Sequence, residues 1–398
     1  MKLAQRVQTL EPSATIALSD QAKKLQAQGV DVVNLTAGEP DFPTPLAIKQ
    51  AAIESIQSGQ ADSYTAAAGI LPLRQALADK INQQYRTEVT AADVAITTGA
   101  KFALYLVSQV LLDPNDEVLI PVPYWVSYSE QVKLAGGVPV FVVPTSRDNK
   151  VSVADLKAHA TEKTRALIIN SPQNPSGSVY SKDELVQIGQ WAVENGITLI
   201  TDDIYRDLIY NQTEFHSLFE FAGKIREQTI LISGFSKTYA MTGWRVGFIA
   251  GPGEFMQKIS ALLSQTTSNL TVSSQYAALA ALSLPNSEIE KMRGDYEQRL
   301  NHFYPEFKAL PGFSFPVKPQ GAFYLFPDVT EALSLCQIET TAEFARRLLD
   351  EVHVAVVPGE AFGQPGSLRL SYAAASESLE KGVQRINKFM RVHTQEEK

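Results

Sequence analysis

One stretch of the chain carries a lysine and an arginine in a setting suited to amine chemistry. Residues 233–245 read SGFSKTYAMTGWR, with Lys237 and Arg245 eight positions apart. A lysine amine can form a Schiff base with an aldehyde, and an arginine fork suits a phosphate. The lysine follows an apolar run typical of a strand, and open α/β sheets bind ligands at such strand ends. The pair indicates a phosphorylated aldehyde cofactor, but alone it is a weak signal.

Two further polar stretches follow apolar runs. Residues 170–177 read NSPQNPSG, a loop whose prolines can fix the direction of the Asn174 amide. Residues 201–205 read TDDIY and offer a carboxylate and a phenol. If the aldehyde cofactor contains a pyridine ring, that ring withdraws electrons strongly only when its nitrogen is protonated. A semi-buried carboxylate beside the nitrogen would keep the proton there. Asp202 is the candidate, whereas Asp203 is suited to capping a helix.

A fourth stretch could bind the phosphate. Residues 97–101 read TTGAK, where a predicted strand turns into a helix at Gly99. The first backbone amides of a helix point outward and attract anions. A glycine at such a turn is by itself only a turn.

The elements that must hold these side chains alternate between strand and helix, which is the pattern of an α/β fold. We predict seven strands, most of them apolar on both faces as in a parallel sheet covered by helices: 94–97, 117–121, 138–143, 166–169, 198–201, 230–233 and 246–250. From about residue 285 the pattern changes to a long charged helix, 288–310, followed by strands at 322–326, 354–357 and 368–371. A helix is also predicted at 15–28 and an extended segment at 32–35.

The four stretches, in this order after successive strands, resemble the fold-type I pyridoxal-phosphate aminotransferases of class I, most closely their prokaryotic aspartate aminotransferase branch. The resemblance covers nearly the whole chain and includes five further segments: 12–15, 35–42, 64–69, 123–125 and 368–372. It implies a large domain with a seven-stranded, mainly parallel sheet and a smaller α+β domain. We expect an N-terminal arm at 1–14, the small domain at 15–44 and 286–398, and the large cofactor-binding domain at 45–285.

The resemblance assigns the cofactor contacts. Lys237 would bond pyridoxal 5'-phosphate and shuttle a proton, and Asp202 would pair with the ring nitrogen. Tyr205 and Asn174 would contact the ring 3-oxygen, and Trp125 would stack on the ring. The phosphate would be held by Arg245, Ser236, Tyr64 of a second subunit and the amides of Gly99, Ala100 and Lys101. Ser236 is included because Gly234 stands where relatives often have a serine.

The resemblance also implies the substrate contacts. Arg369 would hold the α-carboxylate, together with the Gly38 amide, and Trp125 and Asn174 would adjoin the substrate. Lys101 has two possible roles, near the phosphate or at the distal carboxylate of a dicarboxylic substrate with Thr15 or Ser13. The implied reaction is ping-pong transamination between aspartate and 2-oxoglutarate.

Several alternatives remain open at this point. Trp125 could be core packing, Asp202 a cap, Arg369 a structural ion pair and Lys101 an exposed lysine, while Tyr64 could pack locally. The substrate could be an aromatic amino acid, alanine or prephenate. The same cofactor could also serve a carbon–sulfur β-lyase.

Composition narrows the possible partners. With 35 Lys and Arg against 43 Asp and Glu, the net charge is −8, which disfavours nucleic-acid binding. We expect no membrane span, and residues 1–10 lack a signal-like apolar core. A single cysteine, Cys336, and five histidines without ligand spacing give no disulfide or metal site and suit the cytoplasm. The partners expected are amino acids, 2-oxo acids and a second copy of the chain.

Overall fold

The fold is organised around one large β-sheet. In the computed structural model, residues 2–8, 10 and 14–394 are described. The strands are β1 Val33–Asn34, β2 Val94–Thr98, β3 Glu117–Pro121, β4 Val138–Val142, β5 Thr164–Asn170, β6 Thr198–Asp202, β7 Thr229–Gly234, β8 Val246–Ala250, β9 Tyr324–Leu325, β10 Val354–Ala355, β11 Val357–Pro358 and β12 Leu368–Ser371. The helices are α1 Gln5–Gln8, α2 Ala14–Ala27, α3 Leu46–Gln57, α4 Leu71–Tyr85, α5 Gly99–Leu111, α6 Ser127–Leu134, α7 Val153–His159, α8 Lys182–Glu194, α9 Lys224–Glu227, α10 Gly253–Gln265, α11 Val272–Leu282, α12 Asn286–Lys308, α13 Thr330–Leu335, α14 Thr341–Val352 and α15 Ser376–His393.

The central strands are apolar on both faces because helices cover both. In β5, Ala166 and Ile168 join a core cluster with side chains of α5 and α10. Their neighbours Leu167 and Ile169 point the other way, into a cluster that includes Leu185 of α8. This alternation follows from the two-residue period of a strand. The continuous apolar runs in the sequence are therefore explained by burial on two sides.

The large sheet has seven strands in the order β2-β8-β7-β6-β5-β3-β4, and only β8 runs against the others. The predicted seven-stranded, mainly parallel sheet is thus confirmed. Because β8 is reversed, the residues before it lie at the same sheet edge as the residues that end β5, β6 and β7. One edge therefore gathers Asn170, Asp202, Gly234 and Arg245.

A second group of strands lies outside the large sheet. Strands β11, β12 and β9 form an antiparallel sheet, and β1 pairs in parallel with β10. The pairing of β1 with β10 joins the N-terminal segment to the C-terminal third of the chain. The domain limits 1–14, 15–44, 45–285 and 286–398 stay predictions.

Two predicted strands of this region differ from the structure. The strand predicted at 322–326 is reduced to Tyr324–Leu325, and the one predicted at 354–357 is divided into β10 and β11. The division has a simple cause, because the chain changes partner from β1 to β12 at Val356. The predicted long helix is α12, which begins and ends two residues earlier than expected.

Several helices begin with capping side chains that the sequence contains. Ser152 and Asp155 form a capping box at α7, and Ser181 and Glu184 form another at α8. Each box satisfies backbone N–H groups that the helix itself leaves unpaired. Across the described ranges, no helix combines the length and apolar character needed to cross a bilayer.

Candidate active site

A cavity of about 380 Å³ opens at the edge where β5, β6 and β7 end and β8 begins. Most of the residues expected to bind cofactor or substrate line it. They are Gly38, Ala100, Lys101, Trp125, Asn174, Asp202, Tyr205, Ser236, Lys237, Arg245 and Arg369. Residues distant in sequence therefore meet at one place, as the strand order requires.

The Asp202 carboxylate is buried at the wall of this cavity. It is 3% exposed and accepts a hydrogen bond of 2.7 Å from the Tyr128 hydroxyl and one of 3.2 Å from the Ile204 amide. Burial raises the pKa of Asp202 to about 6, although these hydrogen bonds oppose the rise. A nearby cation would lower the pKa again, so the carboxylate is suited to a positively charged partner.

The adjacent carboxylate, Asp203, has a different environment. It accepts hydrogen bonds of 2.9 Å from the Tyr85 hydroxyl and 2.7 Å from the Thr201 hydroxyl, and it is absent from the cavity lining. Of the two neighbouring carboxylates, Asp202 is the one available to a ligand.

The Lys237 amine faces the same space as Asp202. Its amine donates a hydrogen bond to the Gly38 carbonyl. Burial lowers the pKa of Lys237 to about 8; the Arg369 and Arg245 charges act in the same direction, while Glu39 and Asp202 oppose it. A lysine with such a pKa is neutral for a larger part of the time and can act as a nucleophile or base.

Three hydrogen bonds hold the loop after β5 and the Asn174 side chain. The Asn174 backbone N–H donates to the Asn170 side-chain oxygen at 2.9 Å, and the Asn170 amide donates to the Asp202 carbonyl at 2.8 Å. The Asn174 side-chain oxygen accepts from the Arg369 guanidinium at 3.1 Å. The loop thus connects the Asp202 strand to the Arg369 strand.

Arg369 is a buried guanidinium with unused capacity. It is 2% exposed, and its other terminal nitrogen donates to the Thr36 carbonyl at 2.8 Å. Its Nε is buried and has no hydrogen-bond partner among the residues that the structure describes. Since a buried, unsatisfied cationic group is costly, this side chain is suited to an anion that reaches it from the cavity.

The start of α5 forms a close-packed cradle with the segment before β8. The Thr98 side chain does not cap α5, so within the described part of the chain the first amides of this helix are left without a side-chain cap. A Cβ on Gly99 would lie 2.4 Å from the Arg245 guanidinium, and one on Gly247 would lie 2.3 Å from the Ala100 nitrogen. Two glycines therefore allow a guanidinium and a helix N-terminus to approach, a combination that fits a phosphate.

Four predicted contacts lie outside the cavity lining or outside the description. Gly99 contributes through the cradle just described. Tyr64 is 93% exposed on a loop, and it does not reach the cavity of its own chain. Ser13 lies outside the described residues. Thr15 lies in α2, next to the lining residue Ile16, but its side chain is also outside the description.

Lys101 lies at the cavity beside Trp125. Its amine is 5.0 Å from the centre of the Trp125 ring, and burial, with a contribution from the Arg245 charge, lowers its pKa. The amine makes no ion pair among the described residues within 4 Å. Its charge is consequently available to a ligand.

Sequence reasoning missed several lining residues, and three of them contact predicted site residues. Tyr128 and Tyr324 hydrogen-bond to Asp202 and Tyr205, and Thr36 provides a carbonyl to Arg369. A tyrosine on a helix or strand resembles any core aromatic in sequence, and a backbone carbonyl gives no residue-type signal. Tyr128 could have been suggested only by its position one helical turn after Trp125.

A lysine, a buried carboxylate, a phosphate cradle and a buried arginine around one cavity of an α/β sheet define a pyridoxal-phosphate enzyme of fold-type I. The profile of the family "Aminotransferase class I and II" matches residues 30–386. The chain belongs to this family, and it is an aminotransferase that uses pyridoxal 5'-phosphate.

Relatives span the whole chain. An aspartate aminotransferase of Bacillus sp. (strain YM-2) is 47% identical, over 98% of this chain and 99% of that protein. An asparagine–oxo-acid transaminase of Streptococcus mutans is 46% identical over 98% and 99%. The structure of aspartate aminotransferase from Thermus thermophilus with maleate has a TM-score of 0.91 at 38% identity, covering 98% of this chain and 99% of that one.

Proposed function

We propose that this aminotransferase moves the amino group of aspartate to 2-oxoglutarate in two half-reactions. The observation that carries the proposal is the meeting of Lys237, Asp202, Arg369 and Lys101 in one cavity. Full-length relatives named aspartate aminotransferase support the choice of substrate.

The residues fit the cofactor that the family uses. When bound, pyridoxal 5'-phosphate supplies an aldehyde that bonds an amine and a ring that accepts electrons. We assign the aldehyde to Lys237, the ring nitrogen to Asp202, the 3-oxygen to Tyr205 and Asn174, and the ring face to Trp125. The phosphate is assigned to Arg245, Ser236 and the amides of Gly99, Ala100 and Lys101.

The remaining side chains bind and orient the substrate. Arg369 would pair with its α-carboxylate, because the guanidinium is buried and its Nε has no partner in the described part of the chain. Gly38 would close the other side. Lys237, with a pKa of about 8, can take a proton from the substrate α-carbon and return it at neutral pH.

We assign the distal carboxylate of the substrate to Lys101, which would bind it together with Thr15 or Ser13. Maleate, with which the Thermus thermophilus relative was solved, is a dicarboxylate with the length of aspartate. A second candidate donor is asparagine, because one 46%-identical relative is named for it. The two donors differ at the position assigned to Lys101, where aspartate carries a charged carboxylate and asparagine a neutral amide.

We also propose a homodimer with shared sites. Four exposed apolar side chains lie on α3 and at the start of α4: Leu46, Ile53, Ile56 and Leu71. Tyr64 is exposed on the loop between these helices, and we infer that a second copy bound at these helices would place Tyr64 at a neighbouring phosphate. A cytoplasmic location is proposed because the single cysteine, Cys336, is buried and free.

The proposal is tested by following the cofactor spectrum of the purified, cofactor-loaded protein after adding one amino acid at a time. We expect aspartate to convert the lysine-bound form completely and fastest, alanine and phenylalanine to react slowly, and 2-oxoglutarate to reverse the change. Asparagine reacting faster than aspartate would select the second candidate. Pyruvate and ammonia released from a cysteine-derived donor without an oxo acid would indicate a β-lyase instead.

The covalent assignment has its own experiment. Borohydride reduction followed by peptide mapping should place the cofactor on Lys237, and Lys237→Ala should lose both colour and turnover. Lys258→Ala, a lysine on α10 outside the cavity lining, is the matched control and should keep both. Cofactor reduced onto any other lysine would contradict the assignment.

A further inference from the structure

Two buried phenols meet at the base of the cavity. The Tyr205 hydroxyl lies 2.8 Å from the Tyr324 hydroxyl, and the rings meet edge to face with centres 5.9 Å apart. Tyr205 follows β6 of the large sheet, whereas Tyr324 lies on β9 of the smaller antiparallel sheet. The hydrogen bond thus joins the two sheets at the cavity.

Tyr324 also touches the arginine that we assign to the substrate carboxylate. The Arg369 guanidinium lies 4.5 Å from the centre of the Tyr324 ring and 5.0 Å from that of Phe362. Strands β9 and β12 pair side by side, with Ser371 opposite Tyr324, which holds the ring under the guanidinium. One residue therefore contacts both Tyr205 and Arg369.

Proton counting shows what the hydroxyl contact does. Burial raises the pKa of both tyrosines, so each phenol keeps its single proton at neutral pH. One phenol must donate to the other, and the acceptor then keeps its own proton for another partner. The Arg369 charge favours loss of a proton from both phenols, but its guanidinium lies directly against the Tyr324 ring, which makes Tyr324 the better donor.

We propose that Tyr324 is a positioning residue: its hydroxyl donates to Tyr205 and directs the Tyr205 proton into the cavity, while its ring supports Arg369. The inference rests on the proposed cofactor contact of Tyr205. A phenol that accepts a hydrogen bond becomes a stronger donor itself. Tyr324 therefore strengthens the hydrogen bond that Tyr205 offers to the cofactor 3-oxygen.

Tyr324→Phe separates the two contacts, because it removes the hydroxyl and keeps the ring beneath Arg369. The charged groups around the phenols, Arg369, Asp202 and Lys237, remain in place. We expect the pH midpoint of the visible absorbance of the lysine-bound cofactor to rise by about 0.5, a roughly threefold change in proton affinity. The reason is that a weaker hydrogen bond from Tyr205 stabilises the deprotonated form less.

Kinetics provide a second measurement. Because the ring is retained, the KM for aspartate should stay within about twofold of the wild-type value while kcat falls. In a Tyr205→Phe background the same Tyr324→Phe change should leave the midpoint unmoved, since the acceptor is already gone.

Tyr372→Phe is the matched control. Tyr372 is equally buried, its hydroxyl donates to the Ala322 carbonyl at 3.1 Å, and it does not line the cavity. Tyr372→Phe should lose as much thermal stability as Tyr324→Phe, but the pH midpoint of its visible absorbance should stay at the wild-type value. A general loosening of the core would move both variants alike.

An unmoved midpoint in Tyr324→Phe would overturn the inference, as would an equal shift in the Tyr205→Phe background or in Tyr372→Phe. A wild-type protein without any lysine-bound chromophore would instead overturn the proposed function. The two failures are thus distinguishable in one set of spectra.

Discussion

Burial acts in opposite directions on the amine and the carboxylate of the cavity. It lowers the pKa of Lys237 to about 8 and raises that of Asp202 to about 6. In both cases burial stabilises the uncharged form of the side chain relative to the charged form, because desolvation penalises charge. An amine that titrates near neutrality can accept and return protons. A buried carboxylate becomes ionised more easily when a cation lies beside it, so Asp202 is suited to the protonated ring nitrogen that we propose as its partner.

Lys101 permits a test of substrate choice at a single residue. We expect Lys101→Ala to raise the KM for aspartate at least about fivefold and that for alanine little, because only aspartate carries a distal charge. Steady-state kinetics with both donors provide the measurement.

Lys23→Ala is the control for the Lys101 experiment, since Lys23 also lines the cavity, from α2. It should affect aspartate less than Lys101→Ala does. Equal losses for aspartate and alanine in Lys101→Ala would move that residue to the phosphate.

The sequence predicted charged and glycine-rich motifs better than aromatic neighbours. Lys237, Asp202 and Asn174 were predicted because amines, carboxylates and amides after strands have few structural uses there, whereas Arg369 was predicted from the family resemblance; the structure places all four at one cavity. Tyr324 was missed because a phenol within an apolar strand looks like core. The sequence indicated Asp202 as the candidate carboxylate, and the structure places Asp202, and not Asp203, in the cavity lining.

At the scale of elements, β8 and α5 pack closely against each other beside the site. A Cβ at Gly247 would lie 2.3 Å from the Ala100 nitrogen and 2.4 Å from the Gly99 carbonyl carbon. Backbone atoms cannot move aside as a flexible side chain can, so the helix start would have to shift.

We therefore expect Gly247→Ala to weaken cofactor binding by about tenfold or more and to cost about 1–3 kcal/mol of folding free energy. Gly243→Ala is the matched control, because nothing lies within 4 Å of a Cβ at that position. Cofactor titration and urea unfolding of both variants would check this. Similar behaviour of the two variants would contradict the close-packed cradle.

The predicted strands of the large sheet agree with the structure to within a few residues, because apolar runs covered on both faces are easily recognised. The short strands of the smaller sheets were less predictable. Strands β10 and β11 are separated by a change of pairing partner, and pairing is decided by residues far away in sequence. Local composition contains little of that information.

At the scale of the whole molecule, Asp203 links stability to pH. Burial raises its pKa to about 6 from an ordinary 3.8, so the folded protein binds this proton more tightly than the unfolded chain. The resulting stabilisation is complete below pH 3.8 and is lost as the pH rises through about 6.

Asp203→Asn cannot titrate, so its unfolding free energy should fall less between pH 5 and pH 7 than that of the wild type. Urea unfolding of both proteins at the two pH values measures the difference. Asp79→Asn, at an exposed position on α4, should follow the wild type. A parallel pH dependence of Asp203→Asn and wild type would contradict the buried-proton explanation.

The proposed dimer can be tested by combining two variants that are each expected to be inactive. Lys237→Ala and Tyr64→Ala should each be nearly inactive, yet unfolding and refolding them together should restore about a quarter of the sites, because one site of each mixed dimer contains both native residues. Activity of the refolded mixture is the measurement. No gain over the separately refolded variants would show that Tyr64 does not act across an interface.

The reversed strand β8 places two of the cavity residues on one connection of the large sheet, whereas others lie on a different part of the chain. Lys237 and Arg245 lie on the one short connection between β7 and β8, so their spacing is fixed by a single hairpin of the rigid sheet. Arg369, Gly38 and Tyr324 belong to segments built on the smaller sheets and the N-terminal stretch. Movement of those segments would change the contacts proposed for the amino acid and leave in place the two residues proposed to hold the vitamin-derived group. Substrate specificity could therefore change while the proposed catalytic residues stay where they are.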